Sequence, residues 1–116
     1  MLQQSLVIED VAGSQDGQRI LSLIGPLVLA TLFEFQSKVR ADTSKTLIVD
    51  FSKVPFVDSA GIGALVGAYI THTKAGRNLF LVGVSERIHQ ALAVTRVEQF
   101  FRFFDSLTAA ERAAVA

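Results

Sequence analysis

The sequence predicts an α/β fold, one domain over residues 1–116 in which helices flank a mixed sheet of four or five strands. In the second half of the chain, apolar strand segments alternate with helical segments, which implies right-handed crossovers between mainly parallel strands. The first two strand segments are close enough for a hairpin, so one antiparallel pair joins the sheet. Half of the 116 residues are hydrophobic and none is cysteine, so a core can form without disulfides.

The first half of the chain contains three predicted strands and one helix. Residues 6–8 with Val11 predict the first strand and residues 19–24 the second, and a loop of turn-forming residues separates them. After a Gly-Pro break, apolar residues at helical spacing predict a helix from Val28 to Arg40. The uninterrupted apolar run at 46–51 is typical of a strand that is buried on both faces.

The second half of the chain contains two further strands and three helices. A helix begins at Ser59 and ends before a turn at 76–78, and a strand follows at 79–82. Ser85 is the predicted cap of a helix that runs to Ala93, and a strand follows at 101–103. A capping box at Thr108 and Glu111 opens the terminal helix. Four phenylalanines near the last strand cannot all point inward. We expect two of them in the core and the others over the adjoining helix; they are Phe100, Phe101, Phe103 and Phe104.

The segment 54–65, with the sequence VPFVDSAGIGAL, places an acid and a hydroxyl at the start of a helix of small residues. Asp58 or Ser59 is the predicted N-cap. Between Ser59 and Thr73 only His72 can carry a charge, whereas a surface helix normally has charged residues on its outer face. We therefore expect a partner to cover the small-residue side of this helix. The predicted partner-binding residues are Asp58, Ser59, Ala60, Gly61, Gly63, Ala64, Gly67 and Thr71.

Ser59 has two compatible interpretations. As an N-cap, its hydroxyl would accept a backbone N–H and stabilise the helix by about 1 kcal/mol. As a phosphoryl acceptor at an accessible strand-to-helix turn, it would gain about −1.5 to −2 charges. The helix dipole and free N–H groups would tolerate these charges within the domain. A partner docked on a neutral face would instead meet a hydrated dianion, so phosphorylation would release it and leave the fold intact.

Catalysis has little support in the sequence, and we expect a protein that is not an enzyme. His72 and His89 lie on separate predicted helices without further residues at metal-ligand spacing. We expect both to be ordinary surface or boundary residues, with no metal or cofactor site. The glycine pattern that begins at Gly61 lacks the lysine of a P-loop and the spacing of a dinucleotide fingerprint. Asp50, at the end of the third strand, is expected to support a loop by accepting N–H groups.

Charge and hydropathy argue against further classes of protein. The 11 basic and 11 acidic residues balance, without the basic surface that nucleic-acid binding requires. Residues 1–4 lack the basic and apolar regions of a secretory signal, and glycines interrupt the longest uncharged stretch. We therefore expect no membrane insertion and a cytoplasmic location.

The sequence resembles the STAS domain family, in particular its stand-alone bacterial anti-sigma factor antagonists. The most specific similarity is the Asp-Ser-Ala-Gly-Ile-Gly segment at 58–63, which follows an apolar strand with an aspartate at its end. Further similarity runs through residues 47–52, 54–65, 76–82, 91–95 and 100–104. The resemblance implies a mixed sheet flanked by helices, with Ser59 at the position that the family phosphorylates.

The resemblance also implies a mechanism called partner switching. The unphosphorylated antagonist binds an anti-sigma factor, often an ATP-dependent serine kinase, and a sigma factor is released. Phosphorylation at Ser59 would abolish binding, and a separate serine phosphatase would restore it. Two departures from the family pattern are visible. The segment 25–28 lacks the acidic residue that often follows the glycine after the second strand, and Arg96 stands where relatives often carry glycine.

The sequence is also compatible with other functions of this family. Some STAS domains are subunits of lipid-transporting ABC complexes and dock on the ATPase by the same helix. Others are ligand sensors, which here would use an apolar pocket near the phenylalanines. The bare helix face is also compatible with a homodimer.

Overall fold

The computed structural model describes residues 5–115; the expectation about a secretory signal at residues 1–4 lies outside this range. The strands are β1 (Val7–Ala12), β2 (Gln18–Ile24), β3 (Thr46–Lys53), β4 (Asn78–Val82) and β5 (Arg102–Phe104). The helices are α1 (Leu32–Ala41), α2 (Ser59–Lys74), α3 (Glu86–Val94) and α4 (Leu107–Val115), with a 3₁₀ turn at Glu98–Phe100. Within the described range, no helix combines the length and the apolar composition needed to cross a bilayer.

The strands form one sheet in the order β1-β2-β3-β4-β5. β1 pairs with β2 in antiparallel orientation, and the other neighbours pair in parallel. The predicted mixed sheet and its hairpin are therefore confirmed, with five strands. Because β2 to β5 run in one direction, the loops that lead into α1, α2, α3 and α4 all lie at the carboxyl end of the sheet. This end of the sheet carries the candidate site.

Apolar residues fill both sides of β3, the central strand. Leu47, Val49 and Phe51 point toward α1, α2 and α3 in the larger core cluster. Ile48 points the other way and packs with Phe80 under α4. All five side chains are at most 1% exposed, and burial of each stabilises the fold by about 1.5–3 kcal/mol. The prediction that this strand is buried on both faces is confirmed.

The helix predicted to begin at Val28 begins later, at the start of α1. Thr31 holds the preceding residues in a turn, because its hydroxyl accepts the N–H of Val28 at 3.0 Å and donates to the carbonyl oxygen of Pro26 at 2.8 Å. Leu27 pairs with Val57 in an isolated parallel bridge. These bonds override the helical spacing of the apolar residues in this loop.

The terminal helix α4 does not use the predicted capping box. Its cap is Ser106, whose hydroxyl accepts the N–H of Ala109 at 3.1 Å. Thr108 lies inside the helix, and the carboxylate of Glu111 accepts the N–H of Ser14 in the β1–β2 loop. A long-range partner thus replaces the local one that the spacing predicts.

The four phenylalanines near β5 lie on different surfaces. Phe101 is 7% exposed and meets the ring of Tyr69 edge-on, with 5.7 Å between the centroids. Phe100 stacks on the same ring at 5.6 Å and therefore lies over α2. Phe103 and Phe104 are half-buried and pack in different core clusters. One phenylalanine, rather than the expected two, is fully in the core.

Two helices end in the same hydrogen-bond pattern with different residues at its left-handed position. Gly76 after α2 has φ +72°, and Arg96 after α3 has φ +61°. In both, this residue and its successor donate their N–H groups back to carbonyl groups of the last helical turns. An L side chain is strained in this conformation, whereas glycine adopts it at no steric cost.

Arg96→Gly is expected to stabilise the protein. Relief of left-handed strain gains about 1–2 kcal/mol, and the extra backbone entropy of glycine in the unfolded state offsets about 0.5–1 kcal/mol of it. Gly76→Ala, the matched change in the other helix end, should destabilise by about 1 kcal/mol. Urea unfolding of both variants measures the difference. A loss of stability in Arg96→Gly would contradict the strain assignment.

Candidate functional site

Asp58 organises the start of α2. It is the N-cap of the helix, and Ser59 is the first helical residue. One carboxylate oxygen of Asp58 accepts the N–H of Gly61 at 2.8 Å. The other accepts the N–H of Leu29, in the β2–α1 loop, at 3.0 Å. The carboxylate therefore joins the loop before α1 to the start of α2.

These bonds keep Asp58 ionised. Burial raises the pKa of its carboxyl, but hydrogen bonds from the backbone N–H groups of Gly61 and Leu29 outweigh burial and hold the pKa below its ordinary value of 3.8. The positive end of the helix dipole also favours the anion. A fixed negative charge thus lies beside Ser59 at neutral pH.

Gly61 allows a close approach between two backbone segments. A side chain at this position would overlap the carbonyl oxygen of Leu27, which is held by its bridge to Val57. Gly63 and Gly67 differ, because nothing lies within 4 Å of the position that a Cβ atom would take at either residue. The packing of the chain itself therefore needs the first glycine and not the other two.

Ser59 is exposed at the first position of α2. The first N–H groups of a helix lack intrahelical partners, and one of the two predicted residues had to supply the cap. Asp58 supplies it, so the interpretation of Ser59 as the N-cap is wrong. The hydroxyl of Ser59 lies at the carboxyl end of the sheet without a capping role.

The eight predicted partner-binding residues do not form one continuous surface. Gly61 and Ala64 are buried, and Ala60 is half-buried against the core. The outer face was misplaced here because α1 packs on this side, where Val39 shares the core cluster of Ala64. The exposed members beyond Asp58 form a line along the helix, which we call the α2 stripe: Ser59, Gly63, Gly67 and Thr71.

A shallow groove of about 180 Å³ runs between α1 and the α2 stripe. Its walls include Gln36 and Arg40 of α1. At the end where both helices begin, Leu29 and Phe33 expose large apolar side chains, 61% and 69% accessible. The sequence interpretation counted both residues only among the apolar residues at helical spacing and made no prediction that they are exposed. A signal was present, since Thr31 with an acid three residues later is a helix-start pattern.

Asp50 and Asp58 are not brought together. Asp50 accepts the N–H of Ser52 at 2.9 Å, a local bond at the end of β3. The alternation of side chains along β3 places Asp50 on the same face as Ile48, which packs under α4. Asp50 therefore lies on the opposite side of the sheet from α2.

His72 is fully buried, so the expectation of a surface or boundary residue is wrong. Its Nδ1 lies 3.0 Å from the carbonyl oxygen of Ala68, and its Nε2 lies 3.1 Å from the carboxylate of Asp42, which follows α1. Arg77 donates to the carbonyl oxygen of Asp42 at 2.7 Å. His72 thus joins the end of α2 to the end of α1. Residues 5–115 contain no group of three His, Cys, Asp or Glu side chains placed to hold a metal.

Comparison with known proteins identifies relatives across most of the chain. The STAS domain profile matches residues 11–110. An anti-sigma-B factor antagonist of Staphylococcus aureus strain NCTC 8325 is 30% identical over 64 residues, which are 55% of this chain and 59% of that protein. The chain thus matches less than two thirds of the length of this curated relative.

Solved structures share the fold. An anti-sigma factor antagonist from Mycobacterium paratuberculosis superposes with a TM-score of 0.80, covering 95% of this chain and 96% of the other at 21% identity. A sulfate transporter family protein from Wolinella succinogenes superposes with a TM-score of 0.72, covering 90% and 88% at 26% identity. The same architecture therefore occurs in proteins with two different descriptions.

Replacement of Asp58 is expected to destabilise the fold in a pH-dependent way. Asp58→Asn retains a cap for Gly61 but loses the second acceptor for Leu29, which should cost about 1 kcal/mol, and Asp58→Ala should cost up to about 2 kcal/mol. The pKa of Asp58 is lower in the folded than in the unfolded state. Its stabilisation is therefore complete above the unfolded value near 3.8 and is lost as pH falls through the folded value.

Urea unfolding of the wild-type protein and Asp58→Asn between pH 2 and pH 7 measures this dependence. The difference in free energy of unfolding should be constant near neutral pH and shrink in acid. A difference that stays constant down to pH 2 would contradict the assigned role of the carboxylate.

Proposed function

The chain belongs to the STAS domain family, and we propose that it acts as an anti-sigma factor antagonist by partner switching. In this scheme the unphosphorylated protein binds an anti-sigma factor that is also an ATP-dependent serine kinase, and a sigma factor is released. The kinase then phosphorylates Ser59, the complex dissociates, and a serine phosphatase resets the protein. The chain is a substrate and a binding module in this scheme, not an enzyme. It acts in the cytoplasm, where sigma factors work.

One observation carries the proposal: the α2 stripe is exposed and uncharged, and it contains two glycines that the fold does not need. Gly63 and Gly67 lie in the interior of α2, and neither has a positive φ angle. No atom of another element lies within 4 Å of the position that a Cβ atom would take at either residue. A glycine inside a helix costs about 0.5–1 kcal/mol relative to alanine. Close approach by the backbone of a partner gives both glycines a use.

The position of Ser59 suits a phosphorylation switch. Ser59 is at one end of the stripe, and a partner that covers Gly63 also reaches the hydroxyl. A phosphate would place a dianion beside the ionised Asp58, at one end of the uncharged α2 stripe. A partner would have to desolvate both charges, whereas the free domain leaves them in water. Phosphorylation therefore weakens binding more than it weakens the fold.

A second candidate function is docking on a transporter. The observation that favours it is the 26% identity to the sulfate transporter family protein over 90% of the chain, whereas the 30% identity to the staphylococcal antagonist covers 55% of the chain. In this case the α2 stripe is a permanent contact, and Ser59 is one of its neutral groups. Docking on the ATPase of a lipid-transporting ABC complex, ligand sensing and homodimer formation stay predictions from the sequence.

Ser59→Ala is expected to keep partner binding, and Ser59→Asp to weaken it at least about tenfold, because only the second variant places a charge in the interface. Paired affinity capture from a lysate of the source cells, followed by titration of the captured protein, measures both. Thr108→Asp in α4, on the other side of the sheet, is the matched charge control. A serine-kinase ATPase that only the alanine variant and the control retain would support partner switching. A transporter component bound equally by all three would contradict it.

Gly63→Ala and Gly67→Ala are expected to change stability and binding in opposite directions. Each should stabilise the isolated protein by about 0.5–1 kcal/mol, since alanine is the better helix former and its methyl group meets open space. Each should also weaken capture of the partner by steric exclusion. Gly61→Ala is the contrasting variant and should destabilise the protein through its clash with Leu27. Alanine variants at 63 and 67 that bind as well as wild type would remove the argument for the α2 stripe.

A further inference from the structure

Helices α2 and α3 both begin at the carboxyl end of the sheet. They follow the adjacent parallel strands β3 and β4, and both contribute to the same core cluster, α2 with Leu65 and α3 with Ile88. The first turn of α3 contains Arg87, an exposed residue. Its guanidinium carbon lies 5.6 Å from the ring centroid of Phe56, which precedes Ser59 by three residues. Arg87 is thus held next to the loop that presents the Ser59 hydroxyl.

Positive charge is scarce at this end of the sheet. The loops that precede α1, α2, α3 and α4, at 25–31, 54–58, 83–85 and 105–106, contain no lysine or arginine. Lys53 and Arg87 lie next to two of these loops, and Arg102, in β5 before the last loop, has its guanidinium over the rings of Phe80 and Phe104. Among the ion pairs within residues 5–115, none involves Arg87. Its charge is therefore paired with no carboxylate among the described residues, and the exposed guanidinium contacts the ring of Phe56.

An exposed cation–π contact binds a guanidinium weakly, whereas a phosphate forms stronger charge-assisted, bidentate hydrogen bonds with it. Phosphate and ring would compete for one cation, and phosphate is the stronger partner. A phosphate on Ser59 would lie next to the ionised carboxylate of Asp58, and a neighbouring cation would offset the repulsion between the two anions.

We propose that Arg87 is the residue that binds the phosphate of phosphorylated Ser59, and that it leaves the ring of Phe56 to do so. This inference rests on the proposed function, since it assumes that Ser59 is phosphorylated. It adds an intramolecular consequence of modification: the phosphate becomes tied to α3, and the face of Phe56 loses its cover at the edge of the partner surface.

The test is a phosphorus NMR titration of the protein with phosphoserine incorporated at position 59 during translation. A nearby guanidinium favours the dianion, so the second ionisation of the phosphate, ordinarily near pH 6, should have its midpoint about half a pH unit lower in wild type than in Arg87→Gln. Arg112→Gln, which removes an exposed arginine from α4, is the matched control and should titrate as wild type does. Lys53→Gln tests the cation at the end of β3.

A midpoint that rises in Arg87→Gln alone supports the assignment. Equal midpoints in wild type and Arg87→Gln would overturn it, and so would a shift that appears only in Lys53→Gln. The titration needs no partner protein, so its failure is distinct from failure of partner switching, which capture with the Ser59 variants measures.

Discussion

The carboxylate of Asp58 is the interaction on which the rest of the site depends. It accepts N–H groups from two segments that are 32 residues apart in the chain, Leu29 before α1 and Gly61 in α2. Because the same carboxylate caps α2, a shift of the start of α2 along the helix axis would break the hydrogen bond to Leu29 in the loop before α1. The absent side chain at Gly61 then lets Leu27 approach the helix backbone. These contacts position Ser59, Gly63 and the exposed side chains at the start of α1 as one surface.

The fold was largely predictable because its signals are local. The buried strand at 46–51, the hairpin and the cap Ser85 follow from periodicity and turn chemistry, and the structure confirms each. The errors arose where distant residues override local spacing. The β2–α1 loop is held by Thr31 and by a bridge to the segment before α2, so the predicted helix loses its first turn. The cap of α4 changes because the predicted partner, Glu111, bonds to the β1–β2 loop.

The candidate site was predictable in its location but not in its detail. The motif at 58–63 identifies the start of α2, yet a sequence does not distinguish a glycine needed for internal packing from one that faces solvent. Gly61 and Gly63 are two residues apart and have opposite environments. The prediction for His72 was wrong for a related reason. Its hydrogen-bond partner Asp42 follows α1 and is 30 residues away in the sequence, so local spacing does not reveal the pair. Phe33 follows the buried Leu32 directly, and apolar spacing alone did not show that Phe33 faces solvent.

The site also illustrates a conflict between stability and binding. A helix of 16 residues that served only the fold would carry alanine or a charged residue at the outer positions that Gly63 and Gly67 occupy. The left-handed backbone strain at Arg96 is not explained by binding at the site, because Arg96 follows the carboxyl end of α3. The two glycines that internal packing does not require, Gly63 and Gly67, lie on the surface where the proposed partner docks, next to the proposed site of phosphorylation.

The most direct test of this account is amide hydrogen exchange on the unphosphorylated protein, free and in complex with the partner that it captures. Complex formation is expected to slow exchange in the first half of α2, in the β2–α1 loop and in the first turn of α1, and to leave α4 and β1 unchanged. The protection is expected to be absent when Ser59 carries phosphate. Protection of α4 or β1 instead, or equal protection of both phosphorylation states, would contradict a phosphorylation-controlled interface on α2.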